Sequence, residues 1–238
     1  MSSTGKLYLI PVPLGDESLP SNIFSLSQLE TIRSIKEFVV ENEKSARAFL
    51  KKAETKIPMP ELILHPIGKH VSVQEMHTYL ANVKKGETIG LLSEAGCPGV
   101  ADPGAQIVRM AHEAAITVIP MIGPSSLLLA LMGSGMNGQQ FHFHGYLPID
   151  KTDRARFLKQ IERDTNQNSA TNFFIETPFR NNQLLEDVFK TLDHATRFCI
   201  ACDLTLPTEF IQTKRIGDWK KNPLPDLHKR PAVFLIGK

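Results

Sequence analysis

The sequence has few cysteines, no surplus of charge and no long apolar run, and each shortage excludes a class of protein. Three cysteines in 238 residues, an odd number, do not make a disulfide framework, so a reducing cytoplasm is the expected compartment. Lys and Arg total 27 against 25 Asp and Glu, a net charge of +2. Binding nucleic acid by phosphate neutralisation alone needs a larger excess, so any such role must use a local patch. The start, Met1 to Lys6, precedes an apolar run that Pro13 ends too soon for a secretory core. The most apolar stretch, Ile116 to Gly133, is broken by Pro120, Gly123, Pro124, Ser125 and Ser126. It reads as strand, turn and helix rather than as a membrane span. No internal repeat is visible. What remains is ordinary for a globular chain, 42% apolar and 22% charged, at a length that suits two domains.

Apolar runs alternate with helix-period segments. Leu7 to Val12, Phe38 to Val40, Leu62 to Leu64, Thr88 to Leu92 and Thr117 to Ile119 predict strands. Ala46, Phe49, Leu50 and Ala53 predict one intervening helix, and Ile107 to Ala115 another. Val73, Met76, Leu80 and Val83 predict a third, closed by Lys84-Lys85-Gly86. Such alternation implies a parallel sheet covered on both faces. Gly133 to Gly138 is the clearest linker-like segment. Beyond it, strands are expected at Phe141 to His144, Asn172 to Glu176, Phe198 to Ala201, Glu209 to Thr213 and Ala232 to Ile236. Helices are expected across Asp153 to Arg163 and Leu184 to Leu192. Little helix separates the last strands, so the expected fold class is two α/β domains, 1–123 and 124–238, the first mainly parallel and the second a mixed sheet.

Three turns at predicted strand ends carry the chemical signal. Ser93 to Gly104 packs three glycines and two prolines into twelve residues, which lets backbone approach a ligand while the loop stays stiff. Asp102 is placed to cap a helix that Pro103 opens. Ile122-Gly123-Pro124-Ser125-Ser126 opens another helix and offers hydroxyls and free amides. Pro11 to Asp16 follows the first strand. In open α/β sheets ligands lie at such strand ends. Each turn alone reads equally as ordinary capping. Neither G-x-x-x-x-G-K-[ST] nor G-x-G-x-x-G occurs, which argues against nucleotide hydrolases and typical dinucleotide enzymes.

In this order the turns resemble the tetrapyrrole-methylase superfamily of S-adenosylmethionine-dependent methyltransferases. Leu91 to Gly104 is similar to its S-[DE]-A-G-x-P-G-[IV]-x-D-P-G signature. Phe143 to Pro148, Phe174 to Arg180 and Asp203 to Phe210 resemble its F-x-G-[FY]-L-P, F-Y-E-[ST]-P-x-R and E-L-T…E-x-F stretches. Within the superfamily the likeness is to the branch that 2′-O-methylates a cytidine of small-subunit rRNA. The resemblance implies a homodimer with S-adenosyl-L-methionine in a cleft between domains, held largely by backbone; in-line transfer from an already activated sulfonium requires no metal. By motif position the contacts would fall at Pro13, Ser93, Glu94, Ala95, Val100, Ser125 and Ser126, with Glu176 and Leu204 from the second domain.

Departures leave other readings open. The usual E-D-T-R is Glu41-Asn42-Glu43-Lys44 here, and the arginine before and lysine after E-L-T are Cys202 and Leu206. A tetrapyrrole or other small-molecule acceptor, or a non-catalytic donor-binding module, therefore stands beside the rRNA reading. A ribose hydroxyl would need its proton accepted, for which Glu176 and Glu209 are candidates; each also reads as a solvated or salt-bridged carboxylate. Arg154, Arg156 and Lys159, and Lys214, Arg215, Lys220 and Lys221 around Trp219, read either as a basic surface that meets RNA by charge and stacking or as ordinary solvated faces. Cys199 and Cys202 on a strand, the His142–His144 pair and Cys97 read as packing rather than redox, metal or nucleophilic groups.

Overall fold

The computed structural model describes residues 5–15, 17–68 and 70–238; the first four residues and Asp16, which closes the first expected turn, lie outside them. The chain divides into two compact units, Met1–Ser125 and Ser126–Lys238.

The first unit runs β1 (Lys6–Ile10), α1 (Leu26–Ser34), β2 (Glu37–Val40), α2 (Glu43–Lys52), β3 (Ile63–Pro66), α3 (Val73–Tyr79), β4 (Ile89–Leu92), α4 (Gly104–Glu113) and β5 (Thr117–Pro120). Its sheet has the order β3-β2-β4-β1-β5 with every pairing parallel. Every residue of β2 and β4 is buried because helices cover both faces. Period-2 alternation sorts the side chains. Val39, Ile89 and Leu91 pack with Met76, Ile107 and Met110 on the α3–α4 side. Phe38, Val40 and Leu92 pack with Leu29, Ile32, Phe49 and Leu50 on the α1–α2 side.

The helix expected from Val73 to Val83 ends at Tyr79, and a separate 3-10 turn, Val83–Lys85, carries the glycine stop at Gly86, φ +102°. Leu80 and Val83 are buried after the chain has left the helix, so apolar spacing alone overstated its length. The sequence pattern predicts no helix between β1 and β2, yet α1 begins on a complete capping box. Gln28 N–H donates to Ser25 Oγ (3.3 Å), and Ser25 N–H donates back to Gln28 Oε1 (3.1 Å).

The second unit runs α5 (Ser126–Ser134), β6 (Phe141–Tyr146), α6 (Lys151–Asn168), β7 (Thr171–Ile175), α7 (Asn181–Thr191), β8 (Arg197–Cys202), β9 (Phe210–Arg215), α8 (Ile216–Trp219) and β10 (Ala232–Gly237). Strand order is β6-β7-β10-β8-β9. Only β6–β7 is parallel; β10 runs antiparallel to β7 and β8, and β9 antiparallel to β8. The fold is therefore the expected pair of α/β units, one parallel and one mixed. Leu158, Leu184, Val188 and Phe189 from α6 and α7 bury Phe174, Phe198, Ile200 and Phe234 on one face. On the other, α5 lies against β9, where Thr213 Oγ1 donates to the Ser134 carbonyl (2.7 Å). Gly133 belongs to α5, and a Cβ there would stand 2.8 Å from Ile211 Cδ1. The linker-like segment Gly133 to Gly138 thus falls within the second unit. No helix of the described residues is long and apolar enough to cross a membrane.

Candidate active site

The three turns of the first unit emerge at the carboxyl ends of β1, β4 and β5, where a parallel sheet presents its ligand face. The first two are tied directly: Val12 N–H donates to the Gly96 carbonyl (2.8 Å) and Gly96 N–H to the Val12 carbonyl (2.9 Å). Gly96 and Gly99 take φ +74° and +81°, a left-handed backbone that side chains disfavour. Ser93, 7% exposed, turns its hydroxyl inward to the Gly96 carbonyl (2.9 Å). The third turn is held by Cys97 Sγ donating to the Pro124 carbonyl (3.3 Å) and by Met121 N–H donating to Leu9 O (2.9 Å).

A cavity of about 70 Å³ lies among the β1 turn, α2 and the β4 turn, and brings together Pro13, Ser93 and Glu94 with Ser45 and Phe49. Sites that enclose a drug-sized ligand run to about 300–1,000 Å³, so this cavity takes only part of one. Ala95 and Val100 face solvent on the same loop, and Ser125 and Ser126 are half-buried where the third turn enters α5. Asn42, standing where the family has aspartate, caps α2 by accepting from Lys44 N–H (2.9 Å) and Ser45 N–H (3.3 Å). The departure at Asn42 therefore leaves α2 capped. Arg47 is likewise structural, donating to the Met59 carbonyl (2.9 Å).

Acidic groups lie under the β4 turn. Glu41 accepts from Glu94 N–H (3.0 Å). Burial pushes its carboxyl above the ordinary range; that hydrogen bond opposes the rise, and the charges of Asp102 and Glu94 add to it. Asp102 is also raised by burial, against the opposing pull of its bonds from Gly99 N–H (2.7 Å) and Gly104 N–H (2.8 Å). The cap differs from expectation by one residue. Pro103 is itself the N-cap and α4 starts at Gly104, because Asp102 reaches back to Gly99 as well as forward. Burial, then the Asp102 charge, raises the Cys97 thiol and keeps it protonated, as packing requires and a nucleophile does not.

A raised aspartate means the folded state holds its proton more tightly than the unfolded chain. Asp102 therefore favours folding most below the ordinary value of 3.8, and that contribution is lost as pH rises through the folded value. Asp102→Asn keeps an oxygen for both N–H groups without the buried charge. It is expected to match or exceed the parent midpoint in thermal unfolding at neutral pH. Asp102→Ala strands two backbone donors and is expected to lose about 1–3 kcal/mol.

In the second unit the candidate residues share one sheet end, where β7 and β8 finish and β10 begins. Glu176 is buried, and its Oε1 accepts from Thr177 N–H (2.6 Å) and from Arg180 Nε (3.1 Å) and Nη2 (2.6 Å). Glu209 is exposed, and its Oε2 accepts from Thr205 N–H (2.7 Å). Leu204 lies between them in sequence with a buried side chain. Its neighbours Asp203 and Thr205 take φ +50° and +71°, and Lys229 takes +61°. Left-handed non-glycine residues of this kind gather at functional sites. Arg230, which the sequence reading did not nominate, fastens these loops. Its Nε donates to buried Asp203 Oδ2 (2.7 Å) and its Nη2 to the Thr208 carbonyl (2.9 Å).

The expected basic surface is partly wrong. Arg154 is 5% exposed and pairs with Asp187 (Nε to Oδ2 3.0 Å), because α6 turns that position toward α7. Lys159 and Arg156 pair with Glu162 and Asp153. Trp219 is buried with its Nε1 donating to the Phe198 carbonyl (2.9 Å), so it cannot stack on RNA, although Lys214 lies over its ring. Cys199 and Cys202 are buried thiols raised by burial, Cys202 to about 11. His144 hydrogen-bonds Asn172 Oδ1 (2.8 Å), and no cluster of three metal-ligating residues occurs among the described residues.

A parallel-sheet unit followed by a mixed-sheet unit is a fold this chain shares with solved tetrapyrrole methyltransferases. The methyltransferase CobJ is similar at TM-score 0.62 and 16% identity, over 98% of this chain and 94% of that one. Uroporphyrin-III C-methyltransferase from Thermus thermophilus complexed with S-adenyl homocysteine is similar at TM-score 0.54 and 15% identity, over 98% of each chain. At such identities the likeness speaks for the fold. Ribosomal RNA small subunit methyltransferase I of Escherichia coli O157:H7 is 30% identical over 240 residues, which is 99% of this chain and 78% of that protein. The chain belongs to the ribosomal RNA small subunit methyltransferase I family and is a methyltransferase. No protein-family model matches it.

Proposed function

We propose that the chain transfers a methyl group from S-adenosylmethionine to a ribose 2′-hydroxyl of small-subunit rRNA. The observation that carries the donor half is the Val12–Gly96 bridge, which locks the β1 and β4 turns side by side. Ala95 and Val100, exposed on the β4 turn, are proposed to contact the donor together with Pro13, Ser93, Glu94, Ser125 and Ser126. Glu176 and Leu204 are the donor contacts proposed for the second unit. The acceptor half rests on the family, whose E. coli relative is named for small-subunit ribosomal RNA.

S-Adenosylmethionine supplies a methyl group already activated on a sulfonium. The ribose oxygen bonds to the methyl carbon as the carbon–sulfur bond breaks and sulfur keeps its electron pair. The hydroxyl proton must leave at the same time. Glu209 is exposed and suits that role. Glu176 has Oε1 filled by Arg180 and the Thr177 amide, and suits positioning Arg180. The rest of the rate comes from alignment and exclusion of water, and no metal is needed. In the cytoplasm the acceptor would be the ribosomal subunit. Met132 and Ile149, 79% and 75% exposed, offer apolar surface that a second copy would cover in a homodimer.

The test is incubation with methyl-labelled donor and, separately, 30S subunits, free 16S rRNA and uroporphyrinogen. Label in ribose of the RNA is the expected result. Label in the porphyrin would move the acceptor to small molecules. Tight donor binding without any transfer would make the chain a binding module.

A further inference from the structure

Thirteen phenylalanines occur in the chain, and among the described residues only Phe179 exposes more than half of its surface, at 68%. It stands at the tip of the turn between β7 and α7, three residues after Glu176 and next to Arg180. The ring has one cation and one imidazole beside it: Lys229 Nζ lies 6.0 Å from its centroid, and the His228 ring meets it edge-on with centroids 6.0 Å apart at 76°. This arrangement is built rather than incidental. Lys229 is held in the left-handed region, φ +61°, while its N–H donates to the Pro178 carbonyl (3.0 Å). Asp226 stabilises the same loop by accepting from His228 N–H (3.0 Å) and Asn182 Nδ2 (2.7 Å). Lys229 itself forms no ion pair among the described residues, so its charge is available to a partner.

We propose that Phe179, with His228 and Lys229, is a platform on which a nucleobase of the RNA acceptor stacks. The inference deepens the proposed function and rests on it. An exposed aromatic face beside cations is what single-stranded RNA recognition uses: the ring takes a base and the cations take the adjoining phosphate. The role that the sequence suggested for Trp219 thus passes to Phe179. The platform lies at the sheet end that carries Glu176 and Glu209, so a base seated there delivers its nucleotide to the carboxylates.

The test is steady-state methylation of 30S subunits or free 16S rRNA, whichever the parent protein methylates, by Phe179→Ala, Phe179→Leu and Phe179→Trp, with donor affinity measured by calorimetry. Phe179→Ala is expected to raise KM for RNA about 10- to 100-fold, with donor affinity and kcat near the parent values. Phe179→Trp is expected to restore KM, whereas Phe179→Leu, apolar but unable to stack, is not. Lys229→Ala is expected to lower the slope of log affinity against log salt by about one. A parent-like KM in Phe179→Ala, rescue by leucine equal to that by tryptophan, or an equal loss of donor affinity would overturn the platform while leaving rRNA methylation intact. A parent protein that methylates uroporphyrinogen and no RNA would overturn the proposed function and this inference with it.

Discussion

Asp187→Ala is expected to destabilise the second unit by about 3–5 kcal/mol, the usual cost of leaving a buried charge without its partner. Arg154 and Asp187 are each 5% exposed. The guanidinium also donates to the carbonyls of Pro148 (3.0 Å) and Ile149 (2.7 Å), so it cannot swing out to water without releasing the β6–α6 turn. For a domain of this size that loss lowers the unfolding midpoint on the order of 10–20 °C. Two units make a single two-state midpoint unsafe, but the chain offers a selective probe. Trp219 is its only tryptophan, and it sits in the core of the second unit. Its fluorescence therefore follows that unit alone. The double variant Arg154→Met/Asp187→Leu removes both charges and is expected to recover most of the loss. A change under about 1 kcal/mol in Asp187→Ala would show that the two carbonyls suffice to hold the guanidinium.

That ion pair also shows where reading the sequence stops. Strand tips and their turns were legible because their signals are local: an apolar run of four or five residues, then glycine and proline. The mixed second sheet was legible for the same reason, since three strands follow one another with little helix between them. Arg154 was misread as surface because its helix periodicity is weak and its partner lies 33 residues away. Arg230 escaped notice for a like reason, with Asp203 27 residues and Thr208 22 residues distant. Trp219 looked like an RNA contact because cations surround it in sequence. Nothing local tells that its indole N–H is claimed by the Phe198 carbonyl. In α1 the signal was present, Ser25 followed by Gln28 three residues on, but only Leu29 and Ile32 are buried beneath it, too few to make a stripe.

Gly123→Ala is expected to weaken donor binding about 10- to 100-fold while the chain still folds. A Cβ at Gly123 would lie 2.4 Å from Pro11 Cβ and 2.6 Å from Pro11 Cγ. A proline ring has no rotamer by which to retreat. Pro11 is held beside Val12, which the Gly96 bridge pins to the β4 turn, and Gly123 is held between Met121, bonded to Leu9, and Pro124, bonded to Cys97. Relief must therefore part the β1 turn from the β5 turn. Pro13 rides on one and Ser125 on the other, so the separation falls on the proposed donor contacts. Overpacking of this kind costs about 1–3 kcal/mol of stability, and affinity should be read by calorimetry well below the unfolding midpoint. Gly138→Ala is the control, since a Cβ there meets nothing within 4 Å. Parent-like donor affinity in Gly123→Ala would mean that the β1 and β5 turns do not serve one ligand.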